Sequence, residues 1–78
     1  LSINEKNVMD IFLKKNIEKK KDEKISIDTM LNAIYSWITL NNYSKIAKKK
    51  IISYLNKKLL VNLDEKKKQI GWNYTCCA

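Results

Sequence analysis

The 78 residues include sixteen lysines, eight acids, no arginine and no histidine, a net charge of +8. That length supports one modest core rather than two, and seven aromatics with 45% hydrophobic residues argue against a disordered chain. No apolar run approaches the ~20 residues of a membrane span and no signal-peptide pattern opens the chain, so an intracellular protein without membrane partners is expected.

A start at Leu1 without Met predicts one domain cut from a longer protein. Asn4 to about Ile17 has the period of an amphipathic helix. Val8, Ile11 and Phe12 share a face widened by Met9 and Leu13, with Lys6, Asp10 and Lys14 outward. Asn4 with Asn7, or Ser2 with Glu5 in capping-box spacing, starts it. Glu18–Lys24 is a mixed-charge run without apolar side chains, the mark of a solvated connection or a frayed helix end. Ile25-Ser26-Ile27 alternates as a very short strand would.

Asp28 is placed to cap a second helix running to about Leu40. Only Asn32, Ser36 and Thr39 interrupt its apolar circumference, which predicts burial on several sides, with Tyr35 and Trp37 in the core rather than serving as stacking platforms. Asn41-Asn42-Tyr43 forms the turn, asparagine tolerating the left-handed backbone that ends a helix. Ser44 then caps a third helix through about Lys58. Its apolar side carries Ala47, Ile51, Ile52, Tyr54, Leu55 and Leu59, and its polar side Lys45, Lys49, Lys50, Ser53, Asn56 and Lys57. Lys48 falls nearer the apolar side and has to snorkel.

From Leu59 the period becomes two. Leu59, Val61 and Leu63 form one strand, and Ile70, Trp72 and Tyr74 line one face of the next. The tip between them, Asp64-Glu65-Lys66-Lys67-Lys68, is longer than a tight turn and suits a mobile wing. Gly71 within a strand predicts a bulge or the close approach of another backbone. The expected fold class is therefore α+β, mostly helical: a winged helix–turn–helix of three helices and a C-terminal β-hairpin wing.

Charge is divided unevenly over these elements. Residues 1–43 hold seven lysines and six acids, a net of +1, and residues 44–78 hold nine lysines and two acids, a net of +7. A basic helix followed by a basic-tipped hairpin builds a local field suited to nucleic-acid phosphates. The candidate contacts are Lys45, Lys49, Lys50, Ser53, Asn56 and Lys57 on the helix and Lys66, Lys67 and Lys68 on the wing. Asn56 is also a candidate adenine reader. Without arginine, whose fork reads guanine edges, backbone or shape contact with little sequence preference is expected.

Catalysis has little to build on, since the chain lacks histidine, a phosphate loop and a nucleophile elbow. The adjacent Cys76 and Cys77 have neither zinc-site spacing nor geometry for bridging each other, and read as incidental thiols. No catalytic residue, metal ligand or cofactor is expected. The rival reading is a module that docks neighbouring domains, favoured by an expected exposure of Ile46 and Leu60.

Val8-Met9-Asp10-Ile11-Phe12, Trp37, the turn Asn41–Tyr43, then Ser44, Lys48, Lys49, Ile51, Ile52, Leu55 and finally Gly71-Trp72 follow a familiar order. In these features the chain resembles the winged-helix module that follows the ATPase core in superfamily 3 primase–helicases of large DNA viruses, phages and plasmids. It departs in carrying Ile34 three residues before Trp37, with the tyrosine shifted to Tyr35, and in lacking the usual glycine in the turn. The resemblance implies a parent that unwinds DNA using ATP, and a module that supplies DNA contact or domain docking without a nucleotide site of its own.

Overall fold

Among the described residues, 1–18 and 23–76, the computed structural model has eight elements. In chain order they are α1 (Ile3–Asn16), β1 (Ile17–Glu18), β2 (Ile25–Ser26), α2 (Ile27–Leu40), α3 (Lys48–Lys58), β3 (Val61–Leu63), β4 (Gln69–Trp72) and β5 (Thr75–Cys76). Three helices and a three-stranded antiparallel sheet of order β2-β4-β3 make an α+β, mostly helical fold, and β1 pairs separately with β5. The middle of the Glu18–Lys24 run and Cys77 lie outside the described residues.

α1 opens on the capping box. Glu5 N–H donates to Ser2 Oγ at 3.1 Å while Ser2 N–H donates to Glu5 Oε1 at 3.0 Å, satisfying two free amide donors reciprocally. It stops one residue short of the expected Ile17, which passes into β1. Met9 and Phe12 are buried, but Ile11, expected on the core face, is exposed. It edges a recess between α1 and the α2–α3 connection instead of entering the core.

Ser26, not Asp28, caps α2. The serine ends β2 in an extended conformation, and its hydroxyl accepts from Thr29 N–H at 3.1 Å. Asp28 falls inside the first turn, where a negative charge still suits the helix dipole. The far end of α2 closes as the asparagines predict. Asn42 is left-handed at φ 59°, Tyr43 N–H donates to Ile38 O and Asn42 N–H to Thr39 O, the pattern of a Schellman cap. The accompanying apolar contact is aromatic, with Tyr43 against Trp37 at 5.2 Å between ring centres.

α3 begins at Lys48, four residues after the expected Ser44 cap. The reason is Ile46, which was expected at the surface and is only 1% exposed. Burying it keeps the segment before α3 out of helix, and Tyr35 Oη donates to the Ile46 carbonyl at 2.9 Å, engaging an acceptor a longer helix would use. Lys45 therefore sits off the helix, its Nζ 5.6 Å over the Tyr35 ring.

All three helices and the sheet supply the core: Met9 and Phe12, then Met30, Leu31, Ile34 and Ile38, then Ile51, Tyr54 and Leu55, with Ile25 and Trp72 from β2 and β4. Trp72 is fully buried. Trp37, expected at the centre, is half-buried, packing edge-on against Phe12 at 5.4 Å and leaving a face to Tyr43. The strand alternation also breaks. Asn62 pairs with Gly71 but Leu63 with Gln69, so Ile70 is an extra residue without an opposite partner. This bulge leaves Ile70 and Leu63 exposed where a strict two-residue period expected them inward.

Candidate nucleic-acid interface

The exposed face of α3 is joined to the wing by three side chains. Asn56 Nδ2 donates to Gln69 Oε1 at 3.1 Å, Gln69 Nε2 donates back to Asn56 Oδ1 at 2.8 Å, and Trp72 Nε1 donates to the same oxygen at 2.8 Å. Both ends of the Asn56 amide are thus engaged within the fold. The residue expected to read adenine instead fixes the hairpin against the helix. Lys57 and Lys68 are each one residue along the chain from this clamp.

The tip is closed rather than loose. Asp64 Oδ1 accepts from Lys66 N–H and Lys68 N–H, each at 2.9 Å. Backbone bonds from Lys67 N–H to Asp64 O and from Asp64 N–H to Lys68 O complete the turn, with Lys67 left-handed at φ 60°. Asp64 spends its carboxylate on the backbone, so Lys66, Lys67 and Lys68 remain exposed around it.

On α3, Lys49, Lys50, Ser53 and Lys57 line a groove of about 300 Å³, and Lys6 of α1 faces them across it. Lys6 was not among the lysines expected at this face, because nothing local in the chain announces that the start of α1 packs beside α3. Lys50 also lies 3.9 Å from Glu5 of α1. The Ser2 backbone bond, with help from Lys50, holds the Glu5 carboxyl below its ordinary value against the opposing effect of desolvation. The first turn of α3 carries Lys48, Lys49 and Lys50 with no acid and no side-chain cap. Three cations at the positive end of a helix are mutually unfavourable unless an anion offsets them.

Beneath the groove, Tyr54 Oη donates to Asp10 Oδ1, joining residues 44 positions apart. This hydrogen bond, with desolvation and the Asp10 charge, pushes the Tyr54 phenol up to about 12. The neutral phenol is the favoured form, so the stabilisation is complete below the ordinary tyrosine value of about 10 and is lost as pH rises through the higher one. Tyr54→Phe should unfold at lower urea than the parent near neutrality, and the gap should close between about pH 10 and pH 12. A pH-independent gap in paired urea melts would refute the coupling.

Among the described residues no group of His, Cys, Asp and Glu side chains is arranged to hold a metal, and no helix is long and apolar enough to cross a membrane. No family model, no curated protein and no solved structure matches the chain.

Proposed function

We propose that the chain is a winged helix–turn–helix that holds nucleic acid, DNA in preference to RNA, by its phosphates and with little sequence preference. The observation that carries this reading is the clamped pairing of two lysine groups: Lys6, Lys49, Lys50 and Lys57 around the α1–α3 groove, and Lys66, Lys67 and Lys68 on a closed tip tied to α3 through Asn56. The element order and the β2-β4-β3 sheet support the winged-helix assignment. An 11-residue α3 is about 16 Å long, a rod the major groove of B-DNA admits and the deep, narrow one of A-form RNA does not. With arginine absent and the Asn56 amide engaged, base-edge reading by α3 has little chemistry left.

Following the resemblance, we place the chain as an accessory, non-catalytic module of a replicative primase–helicase, acting inside the cell where DNA is copied. One observation favours docking to a neighbouring protein domain instead. Leu60, Leu63 and Ile70 are 61%, 50% and 46% exposed, all beside the wing.

Two triple variants separate these readings. Lys6, Lys49 and Lys57 changed to alanine remove the groove charges. Lys66→Ala, Lys67→Asn and Lys68→Ala remove the tip charges, asparagine being chosen because it tolerates the left-handed backbone. Each should weaken binding to two unrelated duplexes alike and lower the log–log salt slope by up to about 0.9 per lysine. Alanine at Lys14, Lys15 and Lys24 removes the same charge elsewhere and should change the slope far less. If both sets bind like that control, the lysines are only a solvated surface and docking becomes the better reading.

A further inference from the structure

Beyond the Glu5–Lys50 pair, the basic groove adjoins a second recess, of about 390 Å³, between α1 and the segment preceding α3. Its character is different. Val8, Ile11 and Ile46 give it aliphatic lining, Tyr43 an aromatic one, and Asn4 and Asn7 bring two carboxamides from one face of α1. Ser44 and Glu5, the latter offset by Lys50, complete it. The carboxamide donors bonded among the described residues are those of Asn16, Asn41, Asn56 and Gln69, which leaves Asn4 and Asn7 open. Tyr43 is 37% exposed, and Trp37 backs its ring.

We infer that this recess takes one unpaired nucleobase, stacked on Tyr43 and met at its edge by Asn4 and Asn7, while the flanking phosphates lie on Lys6, Lys49 and Lys50. The inference rests on the nucleic-acid reading above and specifies a single-stranded segment as part of the ligand. Three features favour a base over an apolar peptide side chain. An aromatic face matches the π-face of any base. Each carboxamide offers both a donor and an acceptor, as base edges do, whereas an aliphatic anchor would leave both unused. Lysines lie next to the recess, where a sugar–phosphate chain emerging from it would run. Stacking is sequence-tolerant, which agrees with a chain that has no arginine fork.

The test compares a single-stranded thymidine oligonucleotide with an abasic strand carrying the same number of phosphates, both titrated against the full 78-residue chain by fluorescence anisotropy. The thymidine strand should bind about tenfold tighter, within the range that base–aromatic stacking produces. Tyr43→Leu keeps an apolar contact for Trp37 but removes the aromatic face. It should bring thymidine binding down to the abasic level and leave abasic binding unchanged, while Tyr43→Phe retains the preference. Asn7→Ala, away from the Schellman turn, should lower only thymidine binding, by about threefold, the size of one modest hydrogen bond. It therefore decides the matter even if the leucine variant folds poorly. Equal affinity for the two strands, with the steep salt dependence intact, overturns the base site and leaves the phosphate reading standing. Binding of neither strand at low salt overturns the base site alone if a duplex of the same length still binds, and overturns both readings if the duplex fails as well. An acidic peptide with one aliphatic anchor that binds in a Tyr43-dependent way, while the two strands bind alike, would assign the recess to a protein and likewise overturn the inference.

Discussion

Gly71→Ala is expected to break the sheet and cost more than about 3 kcal/mol, beyond the usual penalty for one extra methyl group in a packed site. A Cβ at this position would run into the Ile25 carbonyl, with the Cα of Ser26 2.9 Å away. These are backbone atoms, so no side chain can swing aside to make room. The strain would push β2 off β4, undoing the Ile25–Trp72 and Ser26–Gly71 pairs and disturbing the serine that caps α2. Urea denaturation followed by circular dichroism measures the loss. A midpoint close to that of the parent would mean that β2 does not lie against β4 in this way.

The second large effect is expected at Trp72. It is the largest fully buried side chain, and its indole N–H reaches Asn56. Trp72→Ala should cost about 3–5 kcal/mol, much of the total stability of a chain this size, for which roughly 4–12 kcal/mol is usual. It also opens the clamp between wing and α3, so any fraction still folded should bind nucleic acid more weakly. Trp72→Phe keeps the apolar packing but loses the N–H donor, and should cost about 1–3 kcal/mol. Trp37→Ala, by contrast, removes a half-buried ring and should cost less than Trp72→Ala. The order of these three variants in urea melts checks the assignment. If Trp37→Ala proves the more damaging of the two alanine variants, the core is centred on α2 and not on the sheet.

The exchange of roles between the two tryptophans shows where reading along the chain stops working. Both lie among apolar neighbours at a regular period, and periodicity reports which face is apolar without ranking sites along it. Trp37 reads as central because α2 is apolar almost all round. In the fold its ring also serves the cap at the end of its own helix through Tyr43. Trp72 sits in a short strand, next to a glycine that lets β2 lie directly alongside, and it is fully buried because its strand is the middle one of the sheet and packs against α2.

What the sequence determined by itself was much of what depends on residues three or four apart or on a two-residue alternation, though the equally local cap of α2 falls on Ser26 and not on Asp28. The Ser2–Glu5 box, the asparagine turn after α2, the two halves of the hairpin and the close approach at Gly71 were all legible, because each follows from local backbone geometry and the chemistry of a few neighbours. The crowding of lysines after residue 43 was legible too, since charge adds along a chain whatever its fold. Tertiary structure alone decided the rest. The start of α3 is set by Tyr35 holding Ile46, 11 residues away, and the fate of Asn56 by Gln69 and Trp72, 13 and 16 residues away. Lys6 joins the basic groove only because α1 packs beside α3, as the Asp10–Tyr54 bond across 44 residues records. Such bonds form where folding has already brought distant segments together and excluded water, and a local pattern carries no information about which segments those will be.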